Sequence, residues 1–325
     1  MMKFLWIDSK DLENWADRRG CQEFLPLVIR QLIRASIKDI KSISFPAGEN
    51  ITYPGWDGKL ESLEETEYIP KGLSVWEISG EQNIKKKAEE DYQKRKQNPL
   101  GLNPSETVFI FVTPRTWTQK EQWAKGKKEE NFWKDVRVYD ARDLEGWLEQ
   151  APAVGAWLAK YIGKYPENIL SLEDWWNEWC QVTRPPLVSD LVLGGRKEES
   201  EKIKNWLKET PSLLSVQALA KDEAIAFLSA VIFALPENEK EYFLSKTFVV
   251  DNQNSFRHIT TTCKNGLLLI PTFEEIDIVH SYSQLHHIFI PLSPDNTVSK
   301  EKIVLPKIDR EEFISNLIKM GISKE

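Results

Sequence analysis

The run Val108-Phe109-Ile110-Phe111-Val112 constrains this chain more than any other stretch. Successive side chains of a strand point to opposite faces. An unbroken apolar run of this kind therefore belongs to a strand covered on both sides, as in a sheet sandwiched between helical layers. The surrounding patterns supply those layers. Phe24, Leu27, Val28, Leu32 and Ala35 recur at helical spacing and predict a helix over 23–35. Strands are expected over 41–45, 56–63 and 73–78, a charged helix over 83–97, and the buried strand at 108–112. A polar helix over 119–130, a strand over 136–139 and a helix over 143–162 complete the region. The order α-β-β-β-α-β-α-β-α, a meander followed by crossovers, implies a mixed sheet flanked by helices.

The chain has 325 residues, enough for two domains. Residues 1–165 form the first expected domain and 166–190 a connector that holds a Trp-rich helix (Trp175, Trp176, Trp179) and then Arg184-Pro185-Pro186. Residues 191–325 form a second α/β domain, with helices over 198–207 and 222–235 and strands over 212–218, 247–251, 266–270 and 287–292. An amphipathic helix over 310–318 reads as the opening of a further helical region, so the chain is expected to be part of a longer protein.

No apolar run reaches the length of a membrane span, and no signal-peptide core follows Met1. Cys21, Cys180 and Cys263 lie far apart, without zinc spacing, which suits a reducing cytoplasm. The net charge is -7, but residues 1–165 hold as many basic as acidic side chains, so the whole excess falls on the second half. The first half is thus compatible with nucleic acid and the second is not an expected contact surface.

Two acids stand out. Asp57 follows the turn Tyr53-Pro54-Gly55, and Glu77 follows the apolar Leu73-Ser74-Val75-Trp76. Neighbouring strands can bring such carboxylates together, and two ionised carboxylates repel unless a cation lies between them. Hard oxygen donors suit Mg²⁺ or Mn²⁺. Glu23 on the first helix and Glu49 in the loop before Asp57 are further candidate ligands. Lys85-Lys86-Lys87 and Lys94-Arg95-Lys96 form two basic triplets on the helix after Glu77. They read either as a solvated, ion-paired helix face or as a phosphate footprint.

This arrangement resembles the PD-(D/E)xK nuclease superfamily, the restriction-endonuclease-like fold of Holliday-junction resolvases and Mrr-like enzymes. The residues that carry the resemblance are Glu23 on a helix, Pro54-Gly55-Trp56-Asp57-Gly58, and Trp76-Glu77-Ile78-Ser79. It implies a metal-dependent phosphodiesterase acting on DNA, most simply double-stranded, with Mg or Mn held by Asp57, Glu77, Glu23 and Glu49. Ser79 stands where the family has its lysine and carries no charge. Lys87, as a migrated lysine, and Gln82, as a water-orienting amide, are the implied substitutes. Lys59, Lys85, Lys86, Lys94 and Arg95 are the implied nucleic-acid contacts.

In the second half, Leu193-Gly194-Gly195-Arg196-Lys197-Glu198-Glu199 resembles the lead-in of STAND-type P-loop ATPases. The phosphate loop should follow the next strand. The chain reads Val216-Gln217-Ala218-Leu219-Ala220-Lys221-Asp222-Glu223 there, without glycine or a Lys-Ser/Thr pair, so no nucleotide-binding residues are assigned. Leu267-Leu268-Leu269-Ile270 is followed by Pro271-Thr272 instead of an acid. The expected second domain is a degenerate P-loop-NTPase-like fold. His258, His280, His286 and His287 read as structural.

The expected function is a metal-dependent endonuclease effector of a bacterial anti-phage defence system, with a homo-oligomer or a defence-system protein as partner. The alternative is a catalytically inactive module of the same fold that binds nucleic acid or scaffolds a complex.

Overall fold

The computed structural model describes residues 6–46, 55–164, 168–263, 266–274, 276–295 and 302–319. The chain divides into two compact units, with the boundary between Lys164 and Tyr165.

The first unit is a five-stranded mixed sheet between two helical layers. Its strands are β1 (Ile40–Ser44), β2 (Gly58–Ser62), β3 (Gly72–Ile78), β4 (Val108–Val112) and β5 (Asp135–Tyr139), in the order β1-β2-β3-β4-β5. β1 and β3 run antiparallel to β2, whereas β3, β4 and β5 are parallel. This is the expected meander and crossover. β4 explains the layering. Val108, Ile110 and Val112 enter one core, with α1 (Ser9–Ala16), α2 (Cys21–Ser36), α5 (Ala141–Gln150) and α6 (Pro152–Ile162). Phe109 and Phe111 enter the other, with α3 (Ile84–Gln97) and α4 (Lys120–Glu129). Trp117, Trp123 and Trp133, which lie on polar segments, are buried in this second core.

Two helical details differ from the expectations. The single helix expected over 143–162 is two helices, because Pro152 lacks the N–H that would continue α5 and its ring disfavours helical geometry at Ala151. α1 has no counterpart in the expected elements. It is set by a reciprocal cap, in which Asp8 accepts from the Asp11 N–H and Asp11 from the Asp8 N–H. The same device starts α5 at Asp140, which also accepts the Trp117 N–H at 2.9 Å and the Lys120 ammonium at 2.9 Å. Asp140→Ala is expected to destabilise the first unit by about 2 kcal/mol, seen as a lower urea midpoint with an unchanged m-value.

The second unit holds a six-stranded sheet in the order β11-β7-β10-β9-β8-β6. Its strands are β6 (Ile169–Ser171), β7 (Leu213–Gln217), β8 (Thr247–Val250), β9 (Leu268–Pro271), β10 (His287–Leu292) and β11 (Ile303–Val304). All neighbours are parallel except β6, which pairs antiparallel with β8 at the edge. β6 and α7 (Leu172–Cys180) fall in the stretch read as a connector, yet both belong to this unit, and Leu172, Trp176 and Cys180 enter its core. α10 (Lys221–Phe233) is buried nearly all round and forms the centre of that core. Before it come α8 (Ser189–Leu193) and α9 (Lys197–Lys208), after it α11 (Glu237–Leu244) and α12 (Gln253–Thr262), and α13 (Arg310–Lys319) ends the described chain. Among the described residues no helix is long and apolar enough to cross a membrane.

Candidate metal centre

The register of β2 and β3 builds the site. Gly58 pairs with Trp76, which sets Asp57, immediately before β2, against Glu77 near the end of β3. Trp76 and Ile78 point into the core under α2, so Glu77 points the other way, to the face that α3 covers with Ala88 and Tyr92. The Asp57 and Glu77 carboxyl groups lie near enough for the Asp57 charge to act on Glu77. Asp57 Oδ2 also accepts the Ile78 N–H at 2.8 Å, which fixes its orientation.

Burial raises the Asp57 carboxyl above the usual carboxylate range, against the Ile78 N–H, and the Asp91 charge adds to the rise. Burial and then the Asp57 charge push Glu77 up to about 8, against the opposing Arg95 guanidinium. At neutral pH Glu77 therefore keeps its proton.

α3 supplies the surroundings. Asn83 caps it, accepting from the Lys86 N–H at 3.3 Å. Lys87, Asp91 and Arg95 follow on successive turns. Lys87 donates to Asp91 at 2.8 Å. Partial burial opposes the Lys87 charge, but the Asp91 hydrogen bond and the fields of Asp91, Glu77 and Asp57 raise it above its usual range. The Arg95 Nε donates to Glu77 Oε1, its Nη2 to the Gly55 carbonyl, and its guanidinium lies 4.4 Å from the centre of the Trp56 ring. Arg95, expected among the phosphate contacts, is thus buried and committed to Glu77. The reason is helical phase: it shares the inward face with Ala88 and Tyr92, whereas Lys94 beside it is exposed.

The other expected residues fall as follows. Ser79 is buried, and its hydroxyl accepts the Glu81 N–H at 3.2 Å. Gln82 is exposed and its side chain contacts Asp17, at the end of α1. Asp17 in turn pairs with Arg115 at 2.7 Å. Glu23 is exposed in the first turn of α2, whose buried side packs on the sheet face opposite α3. Glu49 lies outside the described residues. Lys59, Lys85, Lys86 and Lys94 are exposed, with Lys86 3.8 Å from Glu90. Lys96, in the second triplet, is taken by Glu130 at 2.6 Å.

Among the described residues no group of three or more His, Cys, Asp or Glu side chains has metal-ligand spacing. The donor set at this site is a carboxylate pair. Such a pair fits Mg²⁺, which keeps several waters and takes one or two carboxylates together with substrate phosphate. Sequence reasoning did not single out Asp91. The signal was the Lys87, Asp91, Arg95 spacing, which places alternating charges along one face of a helix.

Metal binding requires both carboxylates ionised. Mn²⁺ affinity is therefore expected to climb by up to about tenfold per unit from pH 6 and to level off above about 8, with a proton released on binding, measurable by calorimetry in buffers of different ionisation enthalpy. Without metal the sign for folding is opposite. The folded chain keeps the Glu77 proton up to about 8, whereas the unfolded chain loses it near the ordinary 4.5, so this group's contribution to stability falls as pH rises through that interval.

In the second unit, the turn after β7 occupies the place expected for a phosphate loop. There Glu223 accepts the Leu219 N–H at 3.1 Å and pairs with Arg196. The anion at the start of α10 is thus supplied by the chain itself. His286 and His287 are buried; His286 Nδ1 accepts the Leu267 N–H at 3.2 Å and His287 packs edge-on against Trp206. No protein-family model and no curated protein matches the chain.

Proposed function

We propose that the first unit is a metal-dependent phosphodiesterase that cleaves DNA at the Asp57–Glu77 site. The observation that carries this reading is the side-by-side placement of buried Glu77 and half-buried Asp57 by the β2–β3 register, two like charges that a divalent cation would stabilise together. The parallel β3-β4-β5 crossover after an antiparallel β1-β2-β3 meander supports the restriction-endonuclease-like assignment. When bound between these acids, Mg²⁺ or Mn²⁺ supplies charge stabilisation at the phosphate and a more acidic water.

The chain's own residues have separate roles. Asp57 is oriented by the Ile78 N–H and presents its second oxygen to the site. Lys87, held protonated by Asp91, offers positive charge to a phosphate oxygen and does not act as a base. The exposed Lys59, Lys85, Lys86 and Lys94 provide contacts to the nucleic-acid backbone. The second unit is proposed to be a P-loop-NTPase-like module that no longer holds nucleotide, consistent with its parallel sheet and the self-supplied anion at α10. The combination is similar in layout to anti-phage defence effectors, which makes invading double-stranded DNA the proposed substrate.

A second reading, a non-cleaving nucleic-acid-binding module, is favoured by Ser79 at the lysine position and by the Arg95–Glu77 pair. Incubation of the full chain with supercoiled plasmid, in Mg²⁺, Mn²⁺ or EDTA, separates the two. Nicking or linearisation that EDTA abolishes supports cleavage. DNA retained in a gel-shift assay but intact under every metal supports the second reading.

A further inference from the structure

Arg95 is the strongest unexplained feature of the first unit. A buried charge requires partners. Its partners come from two segments that the site must hold together: Glu77 on β3, and Gly55 with Trp56 in the stretch leading to Asp57. The Arg95 and Glu77 side chains are each only 5% exposed. Lys87, one face and two turns away, is already paired with Asp91. The charge that faces Glu77 inside the site is therefore Arg95, on the same carboxylate that a divalent cation would need.

We propose that Arg95 is the resident counter-cation of this site: it holds the Asp57–Glu77 pair in a closed form, and a divalent cation reaches Glu77 only as the guanidinium leaves it. This rests on the metal-dependent reading above. The competition is electrostatic and steric. A guanidinium on Glu77 Oε1 occupies one coordination direction, and its charge repels a second cation at the short range of a buried site. The stacking on Trp56 and the bond to the Gly55 carbonyl keep the guanidinium near, so release from Glu77 does not require α3 to move. The same residue also ties Gly55 and Trp56, next to Asp57, to the strand carrying Glu77.

Arg95→Met keeps the aliphatic stem and removes the charge. Calorimetric titration of the full chain with MnCl₂, compared on each protein's high-pH plateau because loss of the guanidinium raises Glu77 further, is expected to give at least about tenfold tighter binding in Arg95→Met than in wild type. Arg95→Lys, which keeps a cation beside Glu77, is expected to bind as weakly as wild type. Thermal unfolding gives an independent readout: Arg95→Met melts below wild type without Mn²⁺, and Mn²⁺ raises its midpoint more than that of wild type. Folded Arg95→Met that binds Mn²⁺ no tighter than a wild type that does bind overturns the proposal and leaves the metal site standing. Absence of Mn²⁺ binding in all three proteins removes the metal site and this proposal together. Should Arg95→Met fail to fold, Trp56→Leu, which frees the guanidinium while keeping its charge, is expected to tighten Mn²⁺ binding about threefold; an unchanged affinity overturns the proposal.

Discussion

Asp57→Asn and Glu77→Gln are each expected to lower plasmid cleavage by about 10²–10³-fold. Both keep side-chain volume and remove a negative charge from the buried pair. Asparagine at 57 still offers a carbonyl to the Ile78 N–H, so the start of β2 is retained. Glutamine at 77 leaves Arg95 its Gly55 carbonyl and the Trp56 face, with an amide oxygen in place of the carboxylate. These amides are preferable to alanine because Glu77→Ala strands the buried guanidinium and confounds activity with stability. Lys87→Met, which leaves both carboxylates in place, is expected to have a smaller effect and to act on rate more than on Mn²⁺ affinity. Circular dichroism of each variant separates loss of fold from loss of chemistry.

Arg196→Ala has the largest expected effect on the second unit, a loss of about 3–5 kcal/mol. Arg196 is 1% exposed and is among the largest fully buried side chains. It donates to the Val192 carbonyl at 3.2 Å and the Pro306 carbonyl at 2.9 Å, and it pairs with Glu223. It therefore joins α8, the segment before α13 and the start of α10. Gly195, at φ +74, accommodates the same junction, since a Cβ there would lie 2.8 Å from that of Asp309. Removing the guanidinium takes its donor from Glu223 Oε1 and from the Val192 and Pro306 carbonyls. The midpoint of the second transition in a denaturant titration reads the loss. Glu223→Gln is expected to cost less, because Glu223 is more exposed and its amide still accepts the Leu219 N–H.

The sequence–structure correspondence is closest where the pattern is continuous. The β4 run sets the layering because every residue in it must be covered, and residues 108–112 are all buried. Asp57 and Glu77 are legible as a pair because strand alternation on two adjacent expected strands limits which acids can meet, and β2 and β3 do pair in that register. Arg95 is not legible in this way. It lies between Lys94 and Lys96 in a solvated triplet, and only the packing of Ala88, Tyr92 and Trp56 decides that it turns inward. Gln82 illustrates the other failure. Its side chain contacts Asp17 at the end of α1, a helix whose capping signal, Asp8 with Asp11, is short and has one apolar turn behind it. The break at Pro152 is written in the sequence, but the apolar stripe that continues from Leu148 to Leu158 masks it. The β6–α7 stretch reads as a linker because three tryptophans and a following Arg184-Pro185-Pro186 resemble one. Its role becomes visible only when Ile169–Ser171 pair with β8.

The metal site is the central claim, and anomalous diffraction tests it most directly. Crystals of the full chain grown at pH 8 with MnCl₂ are expected to give one strong anomalous peak within coordination distance of the Asp57 and Glu77 carboxylates, about 2.0–2.3 Å, with Arg95 withdrawn from Glu77. An ordered site without such a peak, with Arg95 still on Glu77 at saturating Mn²⁺, would contradict it.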